Sequence, residues 1–216
     1  MNNNVSSISR RKFLAVSGAI AGTSMINPKS NILAANSEGI KQNTKRTKVA
    51  LVGLGVRGIG MWGGDIVREY SDYVEYVGLC DHNPGRLQTG KEMIGIDCPT
   101  YTDFELMMRE TKPDVLIVTT DDDTHDYFIS KGMDMGANII CEKPMAIDEN
   151  KIQTIIDAEK RTGKECLVTF NYRYSPHRAK MWEIIRSGEI GELTSVDFHW
   201  YLDTSHGADY FRRWHR

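Results

Sequence analysis

The sequence has no apolar run long enough to cross a membrane. Its most apolar stretch, residues 13–26, is interrupted by Ser17, Gly18, Gly22 and Ser24. A membrane-spanning helix needs about 20 apolar residues, so this stretch is not predicted to span a bilayer. The sequence also has no internal repeat, and its 216 residues suffice for one domain with a substantial core, or slightly more.

Cysteine is scarce, and its spacing excludes the usual metal-binding patterns. The cysteines form no C-x-x-C pair and have no histidine pair nearby, so we predict no metal site. Most of them lie in or beside predicted strands, where cysteine packs as a small apolar residue. Buried free thiols are the favoured interpretation, and disulfides or reactive thiols are the alternatives. The four residues are Cys80, Cys98, Cys141 and Cys166.

Positive charge is scarce outside the N-terminal region. Residues 1–48 contain eight Lys and Arg and one acidic residue, whereas the remaining residues contain 19 basic and 28 acidic side chains. Contacts with phosphates dominate nucleic-acid binding. The acidic globular part therefore argues against a nucleic-acid-binding protein.

The N-terminal segment resembles a bacterial twin-arginine export signal. The hexapeptide SRRKFL, residues 9–14, precedes a short and weakly hydrophobic stretch, as in such signals. We predict a signal peptide over residues 1–35 and a polar linker over residues 36–47. The expected partner is the twin-arginine translocation machinery, and the expected location is the periplasm. A basic tail and an organellar transit peptide are the alternatives.

From Lys48 onward, apolar strand patterns alternate with helical patterns. Several strand candidates are continuous apolar runs, as expected for strands buried on both faces of a parallel sheet. This alternation predicts an α/β fold, a Rossmann-type doubly wound parallel sheet over residues 48–171. The predicted strands are Val49–Gly53, Val74–Cys80, Val115–Thr119, Asn138–Cys141 and Cys166–Phe170. The predicted helices are Ile59–Tyr70, Pro84–Ile94, Asp103–Glu110, Thr124–Met135, Asp148–Thr162 and Pro176–Ser187.

The last part of the sequence has a different pattern. Between Glu192 and Asp203, apolar and polar residues alternate, which predicts an antiparallel strand with one buried face. Such a face needs partner strands and a covering layer. We therefore interpret residues 172–216 as the incomplete beginning of a second domain, and the chain as truncated at its C-terminus.

A glycine-rich hexapeptide, GLGVRG, follows the first predicted strand and precedes a helix. In this G-x-G-x-x-G context the first glycine permits a tight turn, the second lets the backbone approach a pyrophosphate, and the third allows close helix packing. The N-terminus of the following helix favours phosphate. The residues predicted to bind a dinucleotide here are Gly53, Leu54, Gly55, Arg57 and Gly58.

An acidic residue supplies the second half of this fingerprint. Asp81 ends the second predicted strand, 23 residues after Gly58. A carboxylate at this position accepts hydrogen bonds from the ribose hydroxyls and favours NAD over NADP. Arg86, and also Arg57, could instead cover the adenine or attract a 2′-phosphate. NAD is therefore the predicted cofactor, and NADP is the alternative.

Four further stretches, together with the glycine loop, resemble the Gfo/Idh/MocA family of oxidoreductases. The resemblance extends from about Lys48 to the C-terminus, and Glu-Lys-Pro is its most specific motif. It implies a second, α/β domain whose open sheet lines the substrate site and assembles the full-length protein into a homo-oligomer. Members of the family act on carbohydrates and polyols, and a few resemble glycosidases that use NAD in a transient oxidation. The stretches are LCDHNPGRL (79–87), VTTDDDTHDYFISKGMDMGANI (118–139), IICEKPMAID (139–148) and NYRYSPHRAKMWEIIRSGEIGEL (171–193).

The resemblance also implies roles for individual residues. Lys143 of Glu-Lys-Pro would lie beside the nicotinamide and the reacting hydroxyl, as the catalytic proton relay. Glu142 would contact the cofactor, and Pro144 would fix the turn through a cis peptide. Without the surrounding matches, the same residues would be interpreted as a turn with a surface Glu-Lys pair.

Other cofactor contacts are expected on two further segments. Thr120 and His125 would border the cofactor, and Asn171 and Arg173 would approach its nicotinamide side. This sequence departs from the family in the acidic run 121–123, which would repel a pyrophosphate. We therefore expect these acids to cap the next helix.

The end of the chain is rich in aromatic, histidine and arginine side chains. Such groups stack on sugars or bind hydroxyls, and they are equally suited to packing. The candidate substrate contacts are Asp203, His206, Tyr210 and Trp214. A further Asp and His of the family's second domain are expected beyond residue 216.

An export signal and a nucleotide site are compatible if the protein crosses the membrane folded with its cofactor. We therefore expect a tightly held cofactor that is regenerated within one active site. The predicted function is an NAD(P)-dependent oxidoreductase acting on CH–OH groups of a sugar, polyol or related carbohydrate. The alternatives are an NAD-dependent glycosidase and a non-catalytic protein that binds sugar or nucleotide.

Overall fold

The computed structural model of the protein describes residues 45–201 together with residues 203 and 204. The predicted signal peptide and residues 36–44 of the predicted linker lie outside the described residues. The described chain divides into two compact units. The first unit ends at Pro176, and the second begins at His177. The predicted domain boundary between residues 171 and 172 stays a prediction.

Six parallel strands form one sheet in the order β3-β2-β1-β4-β5-β6. This is the strand order of a Rossmann fold, with its topological switch point between β1 and β4. The predicted α/β fold is therefore confirmed. The strands are β1 (Thr47–Val52), β2 (Val74–Cys80), β3 (Thr100–Tyr101), β4 (Val115–Val118), β5 (Asn138–Glu142) and β6 (Cys166–Thr169).

Helices connect the strands, and short polar residues begin several of them. The Asn83 side chain accepts the amides of Gly85 and Arg86, and Asp103 and Asp148 cap two later helices in the same manner. The α-helices are α1 (Ile66–Tyr70), α2 (Pro84–Ile94), α3 (Phe104–Thr111), α4 (His125–Asp134), α5 (Glu149–Thr162) and α6 (Pro176–Ser187). Short 3₁₀ segments cover Asp122–Thr124 and Asn171–Tyr174.

The sheet has an apolar layer on each face. On one face Leu51 of β1 joins a buried cluster that includes Trp62. On the other face Ala50 of β1 joins a cluster with Met107 and Leu116. Because successive strand residues point to opposite faces, the continuous apolar run of β1 is buried on both sides.

The first predicted helix differs from its prediction. Residues Gly58–Asp65 form a π-helix, which continues into α1. The sequence GIGMWGGD contains four glycines, which give an α-helix little intrinsic stability. The carbonyl of Trp62 accepts a hydrogen bond from the buried Tyr76 hydroxyl. This backbone acceptor of the π-helix therefore has a side-chain donor.

The second unit begins within α6. The strand predicted between Glu192 and Asp203 is wrong for the described residues, since positions 193–201 have no regular secondary structure. The physical reason is that a strand needs a hydrogen-bonded partner, and the described part of this unit supplies none. Val196 and Phe198 are consequently exposed. Among residues 45–201, 203 and 204, no helix combines the length and apolarity needed to cross a membrane.

Candidate nucleotide and catalytic site

The carboxyl ends of the parallel strands bring most of the predicted site residues to one edge of the sheet. Gly53 follows β1, Asp81 follows β2, and Thr120 lies just beyond β4. Lys143 follows β5, and Asn171 lies just beyond β6. In open α/β sheets, ligands bind at this edge beside the topological switch point.

The first and third glycines of the loop are fixed by close backbone contacts. Gly53 has φ +92°, and a Cβ there would lie 2.6 Å from the backbone carbonyl of Thr119. A Cβ on Gly58 would lie 2.2 Å from the carbonyl oxygen of Gly53. The Thr119 hydroxyl donates to that same oxygen at 2.6 Å. These two positions therefore accept no side chain without a backbone shift.

The second glycine faces open space. A Cβ on Gly55 would meet nothing within 4 Å, although the residue lies between two tightly packed glycines. A pyrophosphate needs this access to backbone amides at the start of the following helix. The loop therefore fits a dinucleotide.

Asp81 joins the loop to the end of β2. Its buried carboxylate accepts the Leu54 amide at 2.8 Å through Oδ2 and the Asn83 amide at 2.8 Å through Oδ1. A carboxylate oxygen accepts two hydrogen bonds, so capacity remains for ribose hydroxyls. Arg86 is half exposed, with Nη1 3.9 Å from Oδ2 of Asp81. The predicted ribose and adenine contacts of these two residues stay predictions.

Lys143 lies on an exposed turn between two anchored neighbours. The Lys143–Pro144 peptide is cis, as predicted. The Glu142 side chain is buried, and its Oε1 accepts Arg57 Nε at 2.7 Å and Trp62 Nε1 at 2.8 Å. Its Oε2 accepts the Lys143 amide at 3.3 Å. Only Oε2 has a lone pair left, so the predicted contact of Glu142 with the cofactor would have to be made by that atom.

His125 joins the segment after β4 to the Lys143 turn. Its side chain is completely buried, Nδ1 lies 2.8 Å from the Pro144 carbonyl oxygen, and Nε2 lies 3.1 Å from the Thr120 carbonyl oxygen. The ring has no exposed surface in this structure, and the predicted contact of His125 with the cofactor stays a prediction. Thr120 itself is half-buried, and its hydroxyl accepts a hydrogen bond from Thr124. Its predicted contact with the cofactor stays a prediction.

The acidic run 121–123 lies at the start of the 3₁₀ segment that precedes α4, with Asp122 and Asp123 in its first turn. The N-cap of the 3₁₀ segment is Asp121 and that of α4 is Thr124, and neither side chain accepts a capping hydrogen bond. Instead, Lys151 Nζ donates to the Asp123 carbonyl at 2.6 Å and to Asp126 Oδ1 at 2.7 Å. The hydrogen bond to Asp126 raises the pKa of Lys151, and the charges of nearby carboxylates add to this effect. A cation from α5 therefore offsets part of the negative charge.

The remaining candidates are only partly described. Asn171 is half-buried and Arg173 is exposed, with the Arg173 guanidinium 5.0 Å from the centre of the Phe170 ring. Asp203 is exposed. The other candidate substrate contacts, His206, Tyr210 and Trp214, lie outside the described residues.

The cysteines are free thiols, which confirms the favoured interpretation. Cys80, Cys98 and Cys141 are buried, and Cys166 is half-buried. Burial raises the pKa of Cys98 to about 11 and those of Cys80 and Cys166 to about 12. At neutral pH these thiols remain protonated and poorly nucleophilic. Within the described ranges, no group of three or more His, Cys, Asp or Glu side chains could hold a metal ion.

Two residues of the site were missed in the sequence. Trp62 binds the Glu142 carboxylate, and the Thr119 hydroxyl binds the carbonyl oxygens of Val52 and Gly53, where β1 enters the glycine loop. The only available signal for Trp62 was that a buried indole N–H needs an acceptor. Its partner lies 80 residues away in the chain, so no local pattern identifies it.

Known proteins resemble this chain over the same region. A sequence model of the Gfo/Idh/MocA oxidoreductases, described as an oxidoreductase family with an NAD-binding Rossmann fold, matches residues 47–170. The Bacillus subtilis protein YteT, named as an oxidoreductase, is 38 % identical over 172 residues, which are 78 % of this chain and 40 % of YteT. An inositol 2-dehydrogenase/D-chiro-inositol 3-dehydrogenase of Lactiplantibacillus plantarum is 30 % identical, over 70 % of this chain and 44 % of that protein.

A glycoside hydrolase and a solved structure add to these similarities. Glycosyl hydrolase family 109 protein 1 of Akkermansia muciniphila is 31 % identical, over 68 % of this chain and 32 % of that protein. The structure of the WlbA dehydrogenase from Chromobacterium violaceum, in complex with NADH and UDP-GlcNAcA, matches with a TM-score of 0.64 and 21 % identity. The match covers 69 % of this chain and 42 % of that one.

The fold and the glycine loop define an NAD-binding Rossmann domain of an oxidoreductase. With the sequence match over residues 47–170, the chain belongs to the Gfo/Idh/MocA family. It spans less than half the length of these curated relatives.

Proposed function

We propose that the full-length protein transfers hydride between NAD and a hydroxyl-bearing carbon of a sugar, polyol or related carbohydrate. The observation that supports this most strongly is the position of Lys143. Its side chain is exposed on the turn after β5, and that turn is joined to the glycine loop by the 2.7 Å contact between Glu142 and Arg57. This contact joins the residue that precedes Lys143 to the predicted nucleotide loop.

The chemistry divides between the cofactor and the chain. Bound NAD supplies the hydride acceptor. The loop around Gly55 would bind the pyrophosphate, and Asp81 would orient the adenosine ribose. Lys143 Nζ would accept the proton of the substrate hydroxyl as the carbon is oxidised, and would return it in the reverse reaction.

The relatives support the substrate class. Similarity to an inositol dehydrogenase favours a polyol or sugar, with the substrate bound by a second domain that begins at about residue 172. We expect that domain also to assemble the full-length protein into a homo-oligomer. Similarity at 31 % identity to a family 109 glycosyl hydrolase favours a second candidate, a redox-neutral glycosidase that oxidises a ring carbon transiently.

One assay separates these two functions. Full-length protein carrying bound NAD is expected to form stoichiometric bound NADH, measured by absorbance, with at least one member of a panel that contains myo-inositol, glucose and their acidic and amino derivatives. Release of nitrophenol from aryl glycosides without net NADH would instead establish the glycosidase. If the protein binds NADH but is inactive in both assays, the remaining interpretation is a non-catalytic protein that binds sugar or nucleotide.

The predicted export signal and the predicted nucleotide site together support a further proposal. The protein would fold around its cofactor in the cytoplasm, cross by the twin-arginine route, and regenerate the cofactor within each catalytic cycle in the periplasm. Bound cofactor would stabilise the folded state by about 2.7 kcal/mol at a hundredfold excess over Kd.

This proposal predicts retained cofactor. Full-length protein released from the periplasm by osmotic shock is expected to yield about one NAD(H) per chain after denaturation, measured by enzymatic cycling. A variant with Arg10 and Arg11 replaced by lysine is expected to stay in the cytoplasm and contain the same cofactor. Export of that variant, or periplasmic protein without nucleotide, would contradict the proposal.

A further inference from the structure

The glycine loop and the Lys143 turn meet at one buried carboxylate. We propose that Arg57 and Trp62 are positioning residues that couple cofactor binding to the placement of Lys143, by holding Glu142 from the loop side. This inference rests on the proposed function of Lys143. It assigns to Glu142 a mechanical role between two parts of the site.

The turn is anchored on both sides of the proposed catalytic lysine. On the N-terminal side, Glu142 Oε1 accepts Arg57 Nε and Trp62 Nε1, and Oε2 accepts the Lys143 amide. On the C-terminal side, the Pro144 carbonyl oxygen lies 2.8 Å from the His125 ring. The backbone of Lys143 is thus fixed while its side chain stays exposed.

Arg57 is suited to connect this turn to the cofactor. In the part of the chain that the structure describes, only Nε of its guanidinium has a partner, and the side chain is 43 % exposed. Arg57 lies between Gly55 and Gly58 in the loop. Its two terminal nitrogens therefore remain available to a phosphate, and a guanidinium can hold two anionic groups at once because its donors form a planar fork.

Trp62 contacts Glu142 but is too buried to contact a bound cofactor. Its side chain is only 1 % exposed, so it cannot touch a bound dinucleotide. The π-helix places the indole N–H on Glu142, while the Tyr76 hydroxyl binds the Trp62 carbonyl. Any catalytic effect of the indole N–H must therefore pass through Glu142.

The test uses the full-length protein with NADH as the probe, and it needs no known substrate. In the wild type, saturating NADH is expected to slow deuterium exchange in residues 141–146 by about tenfold. The reason is that Arg57 would then bind a phosphate of the cofactor and the Glu142 carboxylate at the same time. Trp62→Phe is expected to speed exchange there by about tenfold while the Kd for NADH, from nicotinamide fluorescence, stays within about threefold. Arg57→Lys is expected to raise that Kd about tenfold and to abolish the NADH-dependent slowing.

A control variant, a substitute variant and a kinetic measurement accompany this test. Arg68→Lys alters an exposed guanidinium of α1 that pairs with Asp65 and Glu69, and it is expected to change neither readout. If Trp62→Phe does not fold, Glu142→Gln preserves the side-chain volume and should show the same faster exchange. With a substrate identified, Trp62→Phe should lower kcat about 10-fold to 100-fold at nearly constant KM, a split that a merely structural role would not produce.

The inference is overturned if exchange in residues 141–146 is the same in the wild type, Trp62→Phe and Arg57→Lys. Failure of the proposed function has a different signature. If Lys143→Ala kept full turnover, the chemical role would be wrong even though the exchange effects persisted.

Discussion

Lys143→Ala is expected to lower kcat by about 10²-fold to 10⁴-fold, because a positioned proton acceptor contributes that much to the rate. The Kd for NADH is expected to stay within about threefold, since an exposed side chain on the turn contributes little to the buried contacts around it. Stopped-flow or steady-state NADH absorbance with the substrate found in the panel measures kcat. Fluorescence titration with NADH measures binding.

Two further variants make this prediction specific. Lys143→Arg supplies no group that accepts a proton, so it is expected to be as inactive as the alanine variant. Lys160→Ala removes an exposed lysine from the last turn of α5 and is expected to leave both readouts unchanged. Wild-type turnover by either Lys143 variant would contradict the proposed role.

Most of the sheet could be predicted because the buried strands are continuous apolar runs. The prediction for β2 has the observed bounds, and those for β1, β4, β5 and β6 differ by one or two residues. Two-residue β3 was missed because Thr100–Tyr101 is too short and too exposed to produce a pattern. Helix starts were predictable where a side chain such as Asn83 caps the helix.

The candidate site was predictable only where its chemistry is local in sequence. The glycine loop lies within six residues, and Asp81 follows a recognisable strand. The glutamate network was not predictable, because it joins Arg57 and Trp62 to a residue 85 and 80 positions away. The burial of His125 escaped prediction for the same reason, since its partner Pro144 lies 19 residues later.

Alanine substitutions at the three loop glycines are expected to differ in whether they change the free energy of unfolding or the Kd for NADH. Gly53→Ala would force a side chain into a left-handed φ of +92° and against the Thr119 backbone. Gly58→Ala would bring its methyl group to 2.2 Å from the Gly53 carbonyl oxygen. Each is expected to cost about 2 kcal/mol or more of the free energy of unfolding, and to lower Tm by roughly 5–10 °C.

Gly55→Ala is expected to behave in the opposite way. Its methyl group would meet nothing in the protein, so the free energy of unfolding should change by less than about 0.5 kcal/mol. The same methyl group would occupy the space through which a pyrophosphate reaches the loop amides. The Kd for NADH should therefore rise at least about tenfold, a loss of about 1.4 kcal/mol or more.

Gly60→Ala is the matched control for this prediction. A Cβ at Gly60 also meets nothing within 4 Å, but the residue lies outside the G-x-G-x-x-G segment. Thermal unfolding of the cofactor-free protein and NADH titration should both match the wild type. If Gly55→Ala bound NADH as tightly as Gly60→Ala, the open space above the loop would not be the phosphate site, and the proposed proximity of Lys143 to a nicotinamide would lose its basis.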